Sequence, residues 1–248
     1  MLSILESTFN HKSIRSYQPN RVIPIDQLNA ILKAMNCAPT SINGQGLSIL
    51  NIVDMDLRKK IAELSWGQKQ IVDCSTFLVF VMDFNKAKIA LDIHNEELKI
   101  TDSIESIMVA SVDIGIAMGT GIAVAENMGF GTCCIGAVRN SPKEMSEILN
   151  LPQHCFALVG LCLGYTQEND NTEVKPKISL NGYVLSNTYN QEVVKNEVIK
   201  YDELSKEVFS QRGEAGMSWS KRVSSFYNRV YYPGAYPELK NKGFKINS

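Results

Sequence analysis

Between Ser103 and Gly131 the chain reads SIESIMVASVDIGIAMGTGIAVAENMGFG, apolar nearly all round, with charge only at Glu105, Asp113 and Glu126. Such a pattern predicts a helix buried on most of its faces. Small residues thread it: Ala110, Ser111, Gly115, Ala117, Gly119, Gly121, Ala123 and Ala125. Each mid-helix glycine costs about 1 kcal/mol relative to alanine, so another helix or a flat ligand is expected to approach closely. Gly115 and Gly119 also form the G-x-x-x-G of membrane helix pairs, and a run of about 20 residues is long enough to span a bilayer. Asp113 in mid-run, the diluted hydropathy and the lack of a basic flank favour a central, dimer-forming soluble helix instead.

The remaining pattern alternates helices and strands. After a short apolar segment from Leu2 to Phe9, Pro24-Ile25-Asp26 opens a helix with Leu28, Ile31, Leu32 and Met35 on one face. It stops before Ala38-Pro39, because proline drives its predecessor out of the α region. Leu47–Val53 reads as a strand, and Asp54 caps a helix carrying Leu57, Ile61 and Leu64 that ends near Trp66-Gly67-Gln68. Thr76–Met82 is a continuous apolar run and hence a buried strand. Asp83–Thr101 reads as polar and irregular, with His94 on the surface. Gly131–Val138 and Phe156–Leu163 are two more strands, and between them Ser141-Pro142-Lys143-Glu144 spells a capping box for a short helix. From Gln191 to Arg212 the pattern is helical and polar. The tail from Trp219 has no core-like period and is expected to wrap a partner subunit's surface. The fold class expected is α+β, a mixed β-sheet flanked by helices, in a single domain over residues 1–248.

Composition narrows the function. The chain of 248 residues is 44% hydrophobic with a net charge of −1, which excludes a general nucleic-acid binder but leaves room for a local basic cluster. Its start has no basic region ahead of a long apolar core, so no signal peptide is read, and a cytoplasmic location is expected. Six cysteines lack C-x-x-C or zinc spacing and read as reduced thiols, so no metal is expected. Two compact basic segments stand out. His11-Lys12-Ser13-Ile14-Arg15 can grip an anion or form a solvated loop, and Lys175-Pro176-Lys177 lies far away in sequence. The loop from Pro39 to Gln45 is amide-rich and uncharged, which suits a heteroaromatic edge as well as plain solvent.

Taken together, His11–Arg15, Ala38–Gln45, Gly67-Gln68, the long central helix, Gly131–Asn140, Leu151-Pro152, Gly160–Tyr165 and Lys175–Lys177 resemble the nitroreductase family, in its NADPH-dependent, oxygen-insensitive nitroreductase and flavin reductase branch. The resemblance implies an FMN-containing homodimer, with the central helix at the interface and two sites built from both subunits. NADPH, or NADH, would reduce the flavin, which would pass two electrons to a nitroaromatic, quinone, azo compound or free flavin. His11, Lys12, Ser13, Arg15, Lys175 and Lys177 are then expected at the phosphate and ribityl end. Thr40, Ser41, Asn43, Gln45 and Gln68 are expected at the isoalloxazine edge or ribityl chain, and Cys134 with the backbone of Ile135, Gly136 and Ala137 against the flavin near its reactive nitrogen. Arg15 and Arg212 are assigned to NADPH. No protein residue is named as catalytic, since the chemistry resides on the flavin. Lys177 stands where relatives often carry arginine, which exchanges a bidentate contact for a point charge. Two alternatives share the pocket: an FMN carrier or redox sensor with little turnover, and an enzyme of this fold with different chemistry that uses Asp83–Thr101 as a lid.

Overall fold

Side-chain caps open four of the helices among the described residues. The computed structural model describes residues 3 to 246, so Leu2, the start of the expected N-terminal segment, lies outside them. Ser3 opens α1 (Ile4–Phe9) with a full capping box: its Oγ accepts from Glu6 N at 3.2 Å, and its own N donates to Glu6 Oε2 at 2.8 Å. Pro24 precedes α2 (Ile25–Asn36), which buries Leu28, Ile31 and Met35 as their spacing requires. Asp54 accepts from Leu57 N at 2.8 Å and starts α3 (Met55–Leu64). A single turn, α4 (Gln70–Asp73), follows without a sequence signal of its own.

Four strands make the sheet among the described residues: β1 (Leu47–Ile52), β2 (Thr76–Asp83), β3 (Gly131–Ile135) and β4 (Cys155–Gly164), in the order β1-β2-β4-β3. These strands pair antiparallel throughout, and parallel pairing enters at the Ser13–Thr132 bridge beside β3. β2 is buried at every position, which explains its unbroken apolar run. Its side chains divide the core in two. Phe77, Val79 and Val81 pack with Ile14, Tyr17, Ile61 and Cys162 on one face, while Leu78, Phe80 and Met82 meet Ile31, Met35 and Phe130 on the other.

Three expectations change here. The stretch read as irregular contains α5 (Asn85–Ile93) and a 3-10 turn at Ile100–Asp102. No residue of α5 is fully buried, so its apolar period is faint. β3 stops at Ile135, and the expected strand continues instead as a 3-10 helix over Gly136–Arg139. At α7 (Pro142–Ile148) proline takes the first helical position, but Ser141 makes no side-chain cap bond. Its Oγ accepts from Asn140 Nδ2 at 3.3 Å.

The central helix is α6 (Glu105–Asn127). A Cβ on Gly121 would stand 1.9 Å from Met35 Cε, so α2 does approach this glycine closely. A Cβ on Gly115 or Gly119 would meet nothing within 4 Å among the described residues, and Met108, Val112 and Ile116 beside them are exposed. By length and composition α6 can cross a membrane, with a mean hydropathy of 1.9, and 28% of that window is buried. Its buried carboxylate at Asp113 is nonetheless hydrogen-bonded within the protein.

The chain divides into two units, one running through Glu173 and resuming at Tyr232, the other Val174–Tyr231. The second holds α8 (Leu180–Tyr183), α9 (Gln191–Gln211) and α10 (Trp219–Tyr227), with Tyr201 and Trp219 in edge contact at 5.6 Å. Asn190 caps α9 by accepting from Val193 N at 3.1 Å. Back in the first unit, α11 (Ala235–Asn241) leads to Phe244, fully buried and edge-on to Phe84 at 6.1 Å. The tail expected to be aperiodic therefore contains two helices, α10 and α11, and no residue of α10 is fully buried.

Candidate functional site

Three contacts along α6 place three of the sequence-selected segments. At its C-terminal end, Glu126 Oε1 lies 2.7 Å from His11 Nδ1 and accepts from Thr132 Oγ1 at 2.5 Å. Ile14 N donates to Thr132 O at 2.8 Å and Ser13 bridges Thr132, so the basic segment runs alongside β3. Nearer the middle, Cys134 Sγ sits 4.0 Å from Met118 Sδ. Toward the N-terminus, Asp113, only 4% exposed, accepts from Ser41 N at 3.1 and 3.3 Å. At 1.5 Å per residue, Asp113 and Glu126 stand about 20 Å apart along the axis. A cationic segment, the end of β3 and an amide-rich loop are thus ordered along one helix.

The cationic segment is not uniform. Arg15 is exposed, donates to Ser13 O at 3.2 Å and otherwise presents its guanidinium outward. With Nδ1 of His11 at Glu126, its Nε2 is the atom left to face a ligand. Lys12 turns elsewhere: its Nζ donates to Thr172 O at 2.7 Å and pairs with the Asp170 carboxylate at 3.7 Å. That ammonium fastens the 166–172 loop.

In the amide-rich loop, Ile42, Asn43 and Gln45 all have positive φ, at 49°, 55° and 50°. Non-glycine residues adopt this region at a cost and cluster in it near functional sites. The loop is held by Gln45 N donating to Thr40 Oγ1 at 3.2 Å and by Asp113 on Ser41. Ser41, Asn43 and Gln45 remain exposed, and Ile42 is 98% exposed. Thr40 therefore works as an internal brace, while its neighbours offer side-chain donors and acceptors outward.

At the end of β3, Ile135 and Ala137 turn their side chains into the core, so this segment presents backbone. Gly136 sits close to two side chains: a Cβ would stand 3.3 Å from Arg139 Nη2 and 3.7 Å from the Tyr232 hydroxyl. Cys134 is exposed as a residue, yet desolvation of its sulfur, with Cys133 and Glu126 nearby, pushes the thiol up to about 11. It is protonated near neutral pH and supplies no nucleophile. Gln68 is half-buried and accepts from the Gln70 side-chain amide. Asn140 Nδ2 donates to Leu64 O at 2.9 Å, which ties the segment after Gly136 to the end of α3.

Lys175 and Lys177 belong to the second unit and are exposed, as is Arg212 at the C-cap of α9. Within the first unit the donors fit a molecule with an anionic end and a flat, polar-edged ring: outward guanidinium and imidazole, a side-chain-free backbone turn, and exposed amides. Sequence reasoning missed Asp113 and Glu126 as positioning groups. Their signal was available, since they are the charges that interrupt the apolar core of the central run. Trp66, Arg139 and Tyr232, which come together near Gly136, had no sequence signal.

Comparison with known proteins identifies relatives over the whole length of the chain. The family model described as the nitroreductase family matches residues 9–165, and the model of that family's C-terminal domain matches residues 175–247. An FMN reductase (NAD(P)H) of Bacillus subtilis is 40% identical over 250 residues, covering 99% of both chains. The solved structure of the hypothetical oxidoreductase YcnD from Bacillus subtilis superposes with a TM-score of 0.94 at 39% identity over 100% of each chain. That of NADPH:FMN oxidoreductase from Vibrio harveyi complexed with NAD+ gives 0.85 at 28% identity over 97% of each.

Proposed function

The chain belongs to the nitroreductase family, and on that premise we propose that it is an FMN-dependent NAD(P)H oxidoreductase reducing a small acceptor: a nitroaromatic, quinone, azo compound or free flavin. Bound FMN supplies the chemistry, accepting hydride from the nicotinamide and passing two electrons to the acceptor. The observation that carries the reading is the order of groups along α6, with His11 at Glu126, Cys134 at Met118 and Ser41 at Asp113.

Each group then has a task. Arg15, Ser13 and His11 hold the phosphate by charge-assisted hydrogen bonds. The backbone of Ile135–Ala137 would lie against the ring, since Ile135 and Ala137 bury their side chains and Gly136 has none. Ser41, Asn43, Gln45 and Gln68 bond the ring edge and ribityl chain. Lys12 and Thr40 act on the protein itself, bracing loops that carry ligand groups. Arg212 takes the NADPH 2′-phosphate.

The protein works in the cytoplasm as a homodimer whose two sites draw on both subunits. Support comes from the outward face of α6, where Met108, Val112 and Ile116 line an exposed apolar stripe and Gly115 and Gly119 leave space for a second helix. The test is an absorption spectrum of the purified protein followed by anaerobic titration with NADPH and NADH, alongside sedimentation. The expected result is a yellow dimer bleached by about one equivalent of nicotinamide per flavin. A colourless chain that takes up no FMN refutes the reading, and a bound flavin that no nicotinamide reduces makes the protein a carrier.

A further inference from the structure

Near Gly136 lies an aromatic cluster that the reading above does not use. Trp66, two residues beyond the end of α3, has φ of 64°, and Gly67 follows with φ of 68°. Two successive left-handed residues swing the indole out of the helix line, and it is left 52% exposed. A bulky residue in this region is strained, and an exposed tryptophan gains little from burial to offset it. The indole is nevertheless held in place. Its ring centroid is 5.3 Å from that of Tyr232 at an interplanar angle of 31°, and the Arg139 guanidinium carbon lies 5.1 Å from the same tyrosine ring. Arg139 is in turn anchored on Leu158 O. The Tyr232 hydroxyl reaches to 3.7 Å from where a Gly136 Cβ would stand, so the cluster borders the backbone assigned to the flavin face.

We propose that Trp66, braced by Tyr232 and Arg139, is the specificity-determining residue for the electron acceptor, stacking against planar, electron-poor rings such as quinones and nitroaromatics. This rests on the flavin reductase reading above. Indole has the most electron-rich face among side chains, and offset stacking on an electron-poor ring is the contact it favours. The brace fixes the indole before the acceptor arrives, which reduces the ordering needed on binding. A ring bound there lies beside Gly136, next to the proposed flavin face, while an acceptor without a ring gains nothing from the indole.

The experiment uses the FMN-loaded enzyme at saturating NADPH with menadione, nitrofurazone and ferricyanide, the last having no aromatic ring. Trp66→Leu, which keeps apolar bulk without a ring, is expected to raise KM for menadione and nitrofurazone at least five-fold. The ferricyanide KM is expected to move less than two-fold, and Trp66→Phe to return both ring-bearing acceptors to within two-fold of wild type. Tyr232→Leu, which removes the brace, is expected to follow Trp66→Leu in direction. Equal shifts for all three acceptors, no shift with menadione, or a Trp66→Leu protein whose change is a loss of dimer by sedimentation would each overturn the proposal. A wild-type chain that binds no FMN removes the flavin reading and this proposal with it. Wild-type turnover combined with an indifferent Trp66 removes the proposal alone.

Discussion

Gly121→Ala isolates the packing on which the central helix depends. At an exposed helical position this change stabilises by about 1 kcal/mol. In this protein the new methyl would lie 1.9 Å from Met35 Cε, 2.7 Å from Cγ and 3.0 Å from Sδ. The Cε can swing, but Cγ is close to the α2 backbone, and Met35 is 1% exposed, enclosed by the cluster that includes Ile31, Leu78 and Phe80. Relief therefore requires α2 to shift, and overpacking of this kind costs typically about 1–3 kcal/mol. Set against the propensity gain, the expected net loss is about 1 kcal/mol, or about 2–4 °C in Tm for a chain of this length. Met35→Ala alone is expected to cost about 2–5 kcal/mol. In the Gly121→Ala background the added methyl fills part of the vacated space, so a double-mutant cycle should show coupling of at least about 1 kcal/mol. The measurement is urea unfolding followed by circular dichroism at fixed protein and FMN concentrations, because both ligand and association shift apparent stability. A Gly121→Ala protein more stable than wild type, with coupling near zero, would refute the close approach of α2 and α6.

Three further outcomes follow from the site and the tail. Arg15→Ala is expected to weaken FMN binding by at least ~1.5 kcal/mol, about ten-fold in Kd by fluorescence titration, since it removes a charge-assisted donor; undiminished affinity would misplace the phosphate. Arg212→Ala is expected to raise KM for NADPH more than for NADH, and equal effects would remove its 2′-phosphate role. The half-buried His154 has φ of 63°, and its Nδ1 is buried without a hydrogen-bond partner among the described residues. Burial first, then Lys88 and Lys245, hold its pKa below the usual 6.5. Its contribution is therefore complete above about pH 6.5 and is lost as pH falls through the depressed value, because the unfolded chain takes up a proton that the native imidazole resists. Tm is expected to drop more steeply from pH 7 to 5.5 in wild type than in His154→Asn, whose residue tolerates the left-handed backbone; parallel slopes would exclude this histidine.

Much of the frame is local, and local rules wrote it into the sequence. The inward face of α2 at Leu28, Ile31 and Met35, the Asp54 cap of α3, the fully buried β2 and the extent of α6 each follow from period, cap or composition within one element. Where local rules were weak or offered two partners, reading failed. α5 buries nothing fully and so shows little period. Ser141 had an ideal capping sequence, yet its hydroxyl bonds to Asn140.

The site divides along the same line. Residue type singled out a basic segment, an amide loop and a glycine-bearing strand, each with an ordinary surface or structural alternative, and the resemblance to the family is what assigned them to one site. Their arrangement was fixed only by contacts between distant parts of the chain: His11 with Glu126, Ser41 with Asp113, and Trp66 with Tyr232. In the same fold Lys12 pairs with Asp170, and Thr40 accepts from Gln45 N. A single sequence carries periodicity and charge, but the partner of a polar group is decided by packing, since a buried carboxylate must find its donor wherever the fold brings one.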